Sequence, residues 1–237
     1  MPSFRHKFER RASNPKKSVR ESETIVDSAN LMTADDLLAN NNTSTNAQQL
    51  FDCCCYTFSV RCAKAVELSQ TLQAELFSIF EHNMKDLYCK SSWGWDAEKK
   101  RKELFAPESR FLVCFFDRKK DTCTAGRHTP SQESPYPTGA CGFVHFRFES
   151  DSHRAVLYCY EIQLLESARG VRLGHQLVDL LFEIAARTSM QRVMLTVFKF
   201  NTQAYNFFGR LGFKVDSTDP CKYGNYVDYS IMSRRVS

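Results

Sequence analysis

Residues 155–188 read AVLYCYEIQLLESARGVRLGHQLVDLLFEIAART. The first eleven, Ala155–Leu165, are mostly apolar or aromatic, which predicts a buried strand. Further on, Leu177, Leu180, Leu181 and Ile184 recur at spacings of three and four, which predicts one buried stripe of a helix over Leu173–Thr188. Between them lies Arg169-Gly170-Val171-Arg172-Leu173-Gly174. A loop entering a helix leaves backbone N–H groups unpaired at the positive end of the helix dipole, where an anion is favoured. Gly170 and Gly174 permit a tight turn and close approach, and Arg169 and Arg172 add positive charge. A phosphate or pyrophosphate is the natural guest. The same residue types also build plain turns.

The pattern continues on both sides. Downstream, Val193–Phe198 reads as a strand, Thr202–Leu211 as a helix, and Phe213–Val215 with Tyr226–Met232 as a last hairpin. Upstream, Tyr56–Ala63 has strand character. Leu72, Leu76, Ile79, Phe80, Met84 and Leu87 share one face of a long helix over Ser69–Lys90, which ends at Ser91-Ser92-Trp93-Gly94-Trp95. Asp96–Leu104 reads as a short charged helix, and Arg110–Asp117 and Ala140–Glu149 as two strands. The stretch 118–138 between those strands carries Pro130, Pro135 and Pro137 and reads as a surface insertion in a hairpin. Residues 1–46 are polar and read as a mostly disordered arm with one short helix near Thr33–Leu38, ahead of a folded domain over 47–237.

The chain has 237 residues, 43% hydrophobic and 25% charged, enough for one sizeable core. No run of 18 apolar residues occurs, which argues against a transmembrane helix. The charged start, with no apolar stretch behind it, argues against a secretory signal, and Pro2 against N-myristoylation. Seven of the 32 Lys and Arg but only Glu9 among the acids lie in residues 1–20, so the arm carries +6 and the rest −1. Such an arm suits nucleic-acid or chromatin contact or an import signal, and equally a solvated tail. Ten cysteines without any C-x-x-C, three of them consecutive at Cys53–Cys55, read as reduced thiols of the cytosol or nucleus rather than a disulfide framework or zinc site.

Strand, R-x-x-x-x-G loop and helix, then a second strand and Asn201-x-x-Ala204-Tyr205-x-x-Phe208, resemble the acetyl-CoA-binding core of the GNAT N-acetyltransferases. The resemblance runs from about Tyr56 to Arg235. Ser92-Trp93-Gly94-Trp95, His145-Phe146-Arg147-Phe148, Leu157-Tyr158-Cys159-Tyr160-Glu161 and Val193–Lys199 resemble, in order, the branch that acetylates the N-terminal Ser of histone 4 and histone 2A. It implies an α/β (α+β) GNAT fold: a mixed, mostly antiparallel sheet with flanking helices and two central parallel strands that splay around the cofactor. It implies acetyl-CoA as cosubstrate, no metal, a monomer, and action in nucleus and cytoplasm on histone N-termini. For the cofactor it implies backbone pairing by Ile162, Gln163 and Leu164, a pyrophosphate cradle at Arg169, Gly170, Val171, Arg172, Leu173 and Gly174, and Asn201 and Tyr205 near the thiol. For chemistry it implies Glu161 with Tyr88, Tyr160 and Tyr229, and for the acceptor Trp93, Tyr158, Glu149 and Asp151.

Two departures stand out. The family's loop has Gly where this chain has Arg172, so if that position needs φ > 0 the loop must rearrange. Strand alternation places Tyr160 and Glu161 on opposite faces, so a joint role for them requires a bulge. Taken without the resemblance, Glu161 could be a paired packing carboxylate, the tyrosines core aromatics, and Glu149 and Asp151 an acidic turn. A GNAT enzyme acting on a Lys or small amine, or a catalytically inactive chromatin-binding module, fits the same pattern.

Overall fold

The computed structural model describes residues 15–38, 48–53, 56–119, 135, 136 and 138–236. In chain order these form α1 (Pro15–Leu31), α2 (Ala34–Leu38), β1 (Gln48–Cys53), β2 (Tyr56–Lys64), α3 (Gln70–Lys90), α4 (Ala97–Leu104), β3 (Arg110–Lys119), β4 (Ala140–Asp151), β5 (Arg154–Leu164), α5 (Leu173–Arg187), β6 (Arg192–Phe198), α6 (Thr202–Arg210), β7 (Lys214–Val215) and β8 (Tyr229–Arg235). The strands make one sheet in the order β1-β2-β3-β4-β5-β6-β8-β7. Every neighbouring pair is antiparallel except β5 and β6. This is the mixed sheet expected from the sequence.

Helices cover both faces. The apolar stripe of α5 packs with Ala29 of α1 and with Leu37 and Leu38 of α2 on one side. Leu76, Phe77, Ile79 and Phe80 of α3 pack with Leu104 of α4 on the other. The starts of α3 and α4 are capped by side chains. Ser69 Oγ accepts from the Leu72 amide, and Asp96 Oδ1 from that of Lys99.

The expected arm is different in its middle. Pro15–Leu31 is a helix, and its far end is held by the core. Ser22 bonds Ser150 of β4 at 2.9 Å, and buried Arg110 of β3 donates from Nη2 to the carbonyls of Ala29, Asn30 and Met32. Carbonyls at a helix C-terminus lack donors from a following turn, so one guanidinium supplies them and offsets the negative dipole end. Polar composition hid this helix, because its anchoring depends on a partner some 80 residues away. The rest of the arm, residues 1–14 and 39–47, and most of the insertion at 118–138 fall outside the described residues. Where the insertion rejoins the sheet, the Tyr136 hydroxyl donates to Ser78 Oγ at 3.0 Å, and the Thr138 hydroxyl to the Glu75 carboxylate.

Two features of the sheet shape the site. Beta pairing between β5 and β6 runs only from Val156↔Arg192 to Cys159↔Leu195, after which the strands diverge. On the other flank, the β4–β5 register passes from His145↔Glu161 to Phe146↔Cys159, so Tyr160 is an extra residue in β5. That is a bulge. Beyond the divergence, Gly142 of β4 lies against β5 so closely that a Cβ there would sit 2.5 Å from the Gln163 carbonyl oxygen.

At the start of α5, Arg172 adopts φ +68°, ψ 2°, a left-handed conformation that favours glycine. The loop therefore carries the strain of a side chain there.

Two stability predictions follow from these contacts. Arg110→Met strands the carbonyls that close α1 and lowers the unfolding free energy by about 2–3 kcal/mol in urea titrations. Arg172→Gly relieves a left-handed penalty of roughly 1–2 kcal/mol against a glycine entropy cost of up to about 1 kcal/mol. The ligand-free variant therefore unfolds at the same or slightly higher temperature than the parent, by calorimetry.

Candidate active site

Where β5 and β6 part, a cavity of about 520 Å³ opens. Its walls come from β5 (Cys159–Leu164), β6 (Leu195–Phe198), α3 (Asn83, Met84, Leu87, Tyr88), the loop and first turn of α5, and α6. Backbone pairing explains why the gap is polar along one edge. The Leu165 amide donates to the Cys141 carbonyl, so in the antiparallel ladder Leu165 and Gln163 pair with β4. Ile162 and Leu164, being the alternate residues, turn their N–H and C=O toward the gap, where β6 no longer reaches them.

The bulge resolves the alternation problem. Cys159 and Ile162 both pack on the α5 side of the sheet. Tyr160 and Glu161, between them, both turn to the α3–α4 side. The Tyr160 ring stacks on His145 at 5.0 Å with the Arg147 guanidinium over it at 4.9 Å. Glu161 Oε2 accepts from Gln163 Nε2 at 2.8 Å, and the carboxylate lies near enough to the Tyr88 phenol to add to the burial that raises it.

Burial pushes the Glu161 carboxyl up to about 7, against the pull of nearby Lys100 and the Gln163 bond. Lys100 is itself neutralised by Glu103 at 3.0 Å, and its ammonium lies 4.2 Å from the centre of the Tyr88 ring. Burial likewise raises the phenols of Tyr88, Tyr158, Tyr160 and Tyr229. It lowers His145 well below its usual value, helped by Arg147. Near neutral pH the tyrosines therefore stay protonated and His145 stays uncharged, while Glu161 is poised to exchange a proton. Titrating groups whose environments push them apart in this way are typical of acid–base chemistry.

Most of the expected site residues converge here. Tyr88, Trp93, Tyr160, Glu161, Ile162, Gln163, Leu164, Arg169, Gly170, Arg172, Leu173, Gly174 and Asn201 line the cavity. Trp93 packs its ring 4.9 Å from Tyr229, 5.0 Å from Phe198 and 6.0 Å from Tyr88. Its loop is pinned by the Ser92 amide and hydroxyl, which both donate to Asp228.

Others are placed differently. Gln163 turns its backbone to β4 and contributes its side chain. Val171 and Tyr205 pack against the core beside α5 and do not line the cavity. Asn201 Oδ1 caps α6 by accepting from the Ala204 amide. Tyr158 bonds Thr196 Oγ1 at 2.5 Å, behind the cavity wall. Tyr229 reaches the site only through its contact with Trp93. Asp151 is bound by Arg154, whose guanidinium also holds buried Asp216. Glu149 accepts from the Tyr160 hydroxyl. The two acids do not form an open fork on the cavity.

Sequence reading missed Asn83, which faces the cavity from α3 and bonds Gln163 Oε1 and the Leu164 carbonyl, both at 3.1 Å. It also missed Lys100. The signal for Asn83 was present: it falls at the helical spacing of Leu76, Ile79, Phe80 and Leu87, so it is a polar residue on an apolar stripe.

The edge fits the expected ligand. The strand groups of Ile162 and Leu164 that face the gap suit an amide-bearing pantetheine arm. The amides of Leu173 and Gly174, first in α5, have no carbonyl within the helix to bond and suit phosphate oxygens. Arg172 and Arg210 add charge to that end of the cavity.

Comparison with known proteins agrees. The chain is similar in fold to a GNAT-family acetyltransferase from Listeria monocytogenes, at 14% identity over 79% of this chain and 99% of that one, TM-score 0.49. It is similar to Arabidopsis thaliana Naa50 in complex with the bisubstrate analogue CoA-Ac-MVNAL, at 14% identity over 74% and 97%, TM-score 0.44. It is also similar to the NatC complex bound to Gag peptide and CoA, at 14% identity over 75% and 99%, TM-score 0.46. The sequence pattern of the acetyltransferase (GNAT) family matches residues 76–213, from within α3 to the end of the turn before β7. That span is more than half of the chain and holds both diverging strands and the phosphate loop, so the chain belongs to the GNAT acetyltransferase family.

Proposed function

We propose that the chain is an N-alpha-acetyltransferase of the N-alpha-acetyltransferase D type, moving acetyl from acetyl-CoA to the α-amine of the N-terminal Ser of histone 4 and histone 2A. The observation that carries this reading is Glu161, a buried carboxyl held near neutrality where the two strands part. Acetyl transfer needs a neutral amine. An α-ammonium loses its proton at about 7.7–8.0 and a lysine at about 10.4. A base near 7 is matched within about one unit to the first and mismatched by about three to the second.

The balance of the reaction is simple. The amine nitrogen attacks the thioester carbonyl carbon, and Glu161 takes the amine proton directly or through one water. The C–S bond then breaks and coenzyme A leaves as a thiolate. Tyr88, held as a neutral phenol, is a donor available to the oxyanion or to the sulfur, and Tyr160 stands beside it with its hydroxyl donating to Glu149. Trp93, packed against Tyr229, walls the acceptor entrance, and Glu149 acts through the Tyr160 hydroxyl. The histone part rests on the four segments that resemble that branch. Three of them supply Trp93, Glu161 and Phe198 to the cavity. The basic residues 1–20 suit chromatin, and nucleus and cytoplasm suit the substrate.

Activity should follow the ionisation of the base. Because the working form of Glu161 is the carboxylate, kcat at saturating substrates falls as pH drops through about 7. Glu161→Gln loses that acid limb together with roughly 10²-fold or more of kcat, read from initial rates across pH 5.5–9, while its circular dichroism stays that of the parent. A parent protein with no turnover would leave a binding module in its place. The acceptor is tested by mass spectrometry of two peptides, Ser-Gly-Arg-Gly-Lys and the same peptide with a blocked N-terminus. Only the first gains 1 acetyl group, at the α-amine; acetylation of the blocked peptide on lysine would favour the side-chain reading.

A further inference from the structure

One continuous hydrogen-bond chain joins the phosphate loop to the base. Arg169 Nη2 donates to Asn83 Oδ1 at 2.8 Å, Asn83 Nδ2 donates to Gln163 Oε1 at 3.1 Å, and Gln163 Nε2 donates to Glu161 Oε2 at 2.8 Å. Its direction is fixed at both ends. A guanidinium only donates, so Asn83 must face it with oxygen. An ionised carboxylate only accepts, so Gln163 must face it with NH₂. Every donor points toward Glu161, and successive bonds polarise one another. Protonating Glu161 would favour reversing the Gln163 amide and then that of Asn83, which would turn an NH₂ group onto Arg169. While Arg169 is in place, the chain favours the carboxylate.

Arg169 has a competing use. Its Nε and Nη2 also donate to the Leu164 carbonyl at 3.1 and 2.9 Å, and Asn83 Nδ2 donates there at 3.1 Å. That carbonyl is one of the two that β5 turns toward the gap. With two lone pairs and three donors it is already saturated, so an incoming amide of the pantetheine arm must displace one of them. Arg169 is the exposed one, at the end of the cavity where the phosphates would lie.

We propose that Asn83 and Gln163 are positioning residues that couple the cofactor slot to the base: while the slot is empty Arg169 caps Leu164 and the relay holds Glu161 as the carboxylate, and when cofactor draws Arg169 away the relay is free to reverse and the base readily takes a proton. The inference rests on the cosubstrate reading above. Other charged or titratable groups face Glu161 without belonging to this hydrogen-bond chain. They are Tyr88 from α3, Lys100 and Glu103 from α4, His145 opposite it on β4, and Cys159 and Tyr160 on β5. Across the cavity stand His175 of α5 and Arg172 and Arg210.

Two measurements on the full chain test this, neither of them a rate. Carbon-13 NMR of the Glu161 carboxyl in the cofactor-free protein should show its titration midpoint raised by about one unit in Gln163→Leu, the worth of a lost bond to a charge. In Asn83→Leu, which leaves that bond but cuts the relay behind it, the midpoint should rise by a few tenths of a unit. Calorimetry of coenzyme A binding at pH 7, in two buffers of different ionisation enthalpy, should show proton uptake by the parent and at most half of it by Asn83→Leu. Asn83→Ala serves for both measurements if the leucine variant does not fold. An unmoved Glu161 midpoint in the Asn83 variant, or undiminished proton uptake, overturns the relay alone. A parent that binds no coenzyme A overturns the cosubstrate reading with it.

Discussion

The separation of β5 from β6 after Cys159 and Leu195 is the constraint on which the rest of this structure depends. A parallel pair that parts in the middle of a sheet leaves backbone amides and carbonyls facing an interior gap, and buried peptide groups without partners are costly. The chain meets that cost in two ways. At Leu164, side chains from α3 and from the phosphate loop bond the carbonyl. Around the rest of the gap the strands stay open to a ligand that brings its own amides. A cleft of this kind persists because the flanking sheet is rigid: β4 holds β5 on one side and β8 holds β6 along its whole length on the other.

The same divergence determines where chemistry can occur. At the fork, the bulge at Tyr160 turns two consecutive side chains to one face, so the phenol and the carboxyl stand side by side over the end of the shared ladder. Regular alternation would have buried one of them on the α5 side, in an apolar cluster with no polar partner for it. Helix α3 supplies the opposite wall, with Asn83 at the cofactor end and Tyr88 at the acid–base end a little over one turn further on.

Local patterns in the sequence were a reliable guide to the elements, and distant partners were not. The stripes of α3 and α5, the caps Ser69 and Asp96, and the alternation of strands with helices after β5 all follow from spacing within a few residues. What could not be read there depends on tertiary contact. α1 is a polar helix whose carbonyls are held by Arg110. Asp151 reads as an open acid but is paired with Arg154. The bulge at Tyr160 was a requirement that sequence could state and only register could locate. Arg172 shows the opposite case: the resemblance implied that a positive φ there would force the loop to rearrange, yet Arg172 itself takes the left-handed turn at the start of α5.

A base near neutrality in so apolar a place depends on balance. Burial alone would keep Glu161 protonated throughout the neutral range, and a bare ammonium beside it would hold it ionised far below that range. The site uses neither extreme. A neutral donor, Gln163, bonds the carboxylate, the neutral Tyr88 phenol lies close by, and the ammonium of Lys100 has Glu103 as its own partner. Neutral donors stabilise an anion less than a formal charge does, so each adjusts the carboxyl without deciding its state. A group tuned by several modest contributions can be shifted by altering any one of them. Gln163 is the contribution connected through Asn83 to Arg169, and therefore the one that can sense what occupies the other end of the cleft.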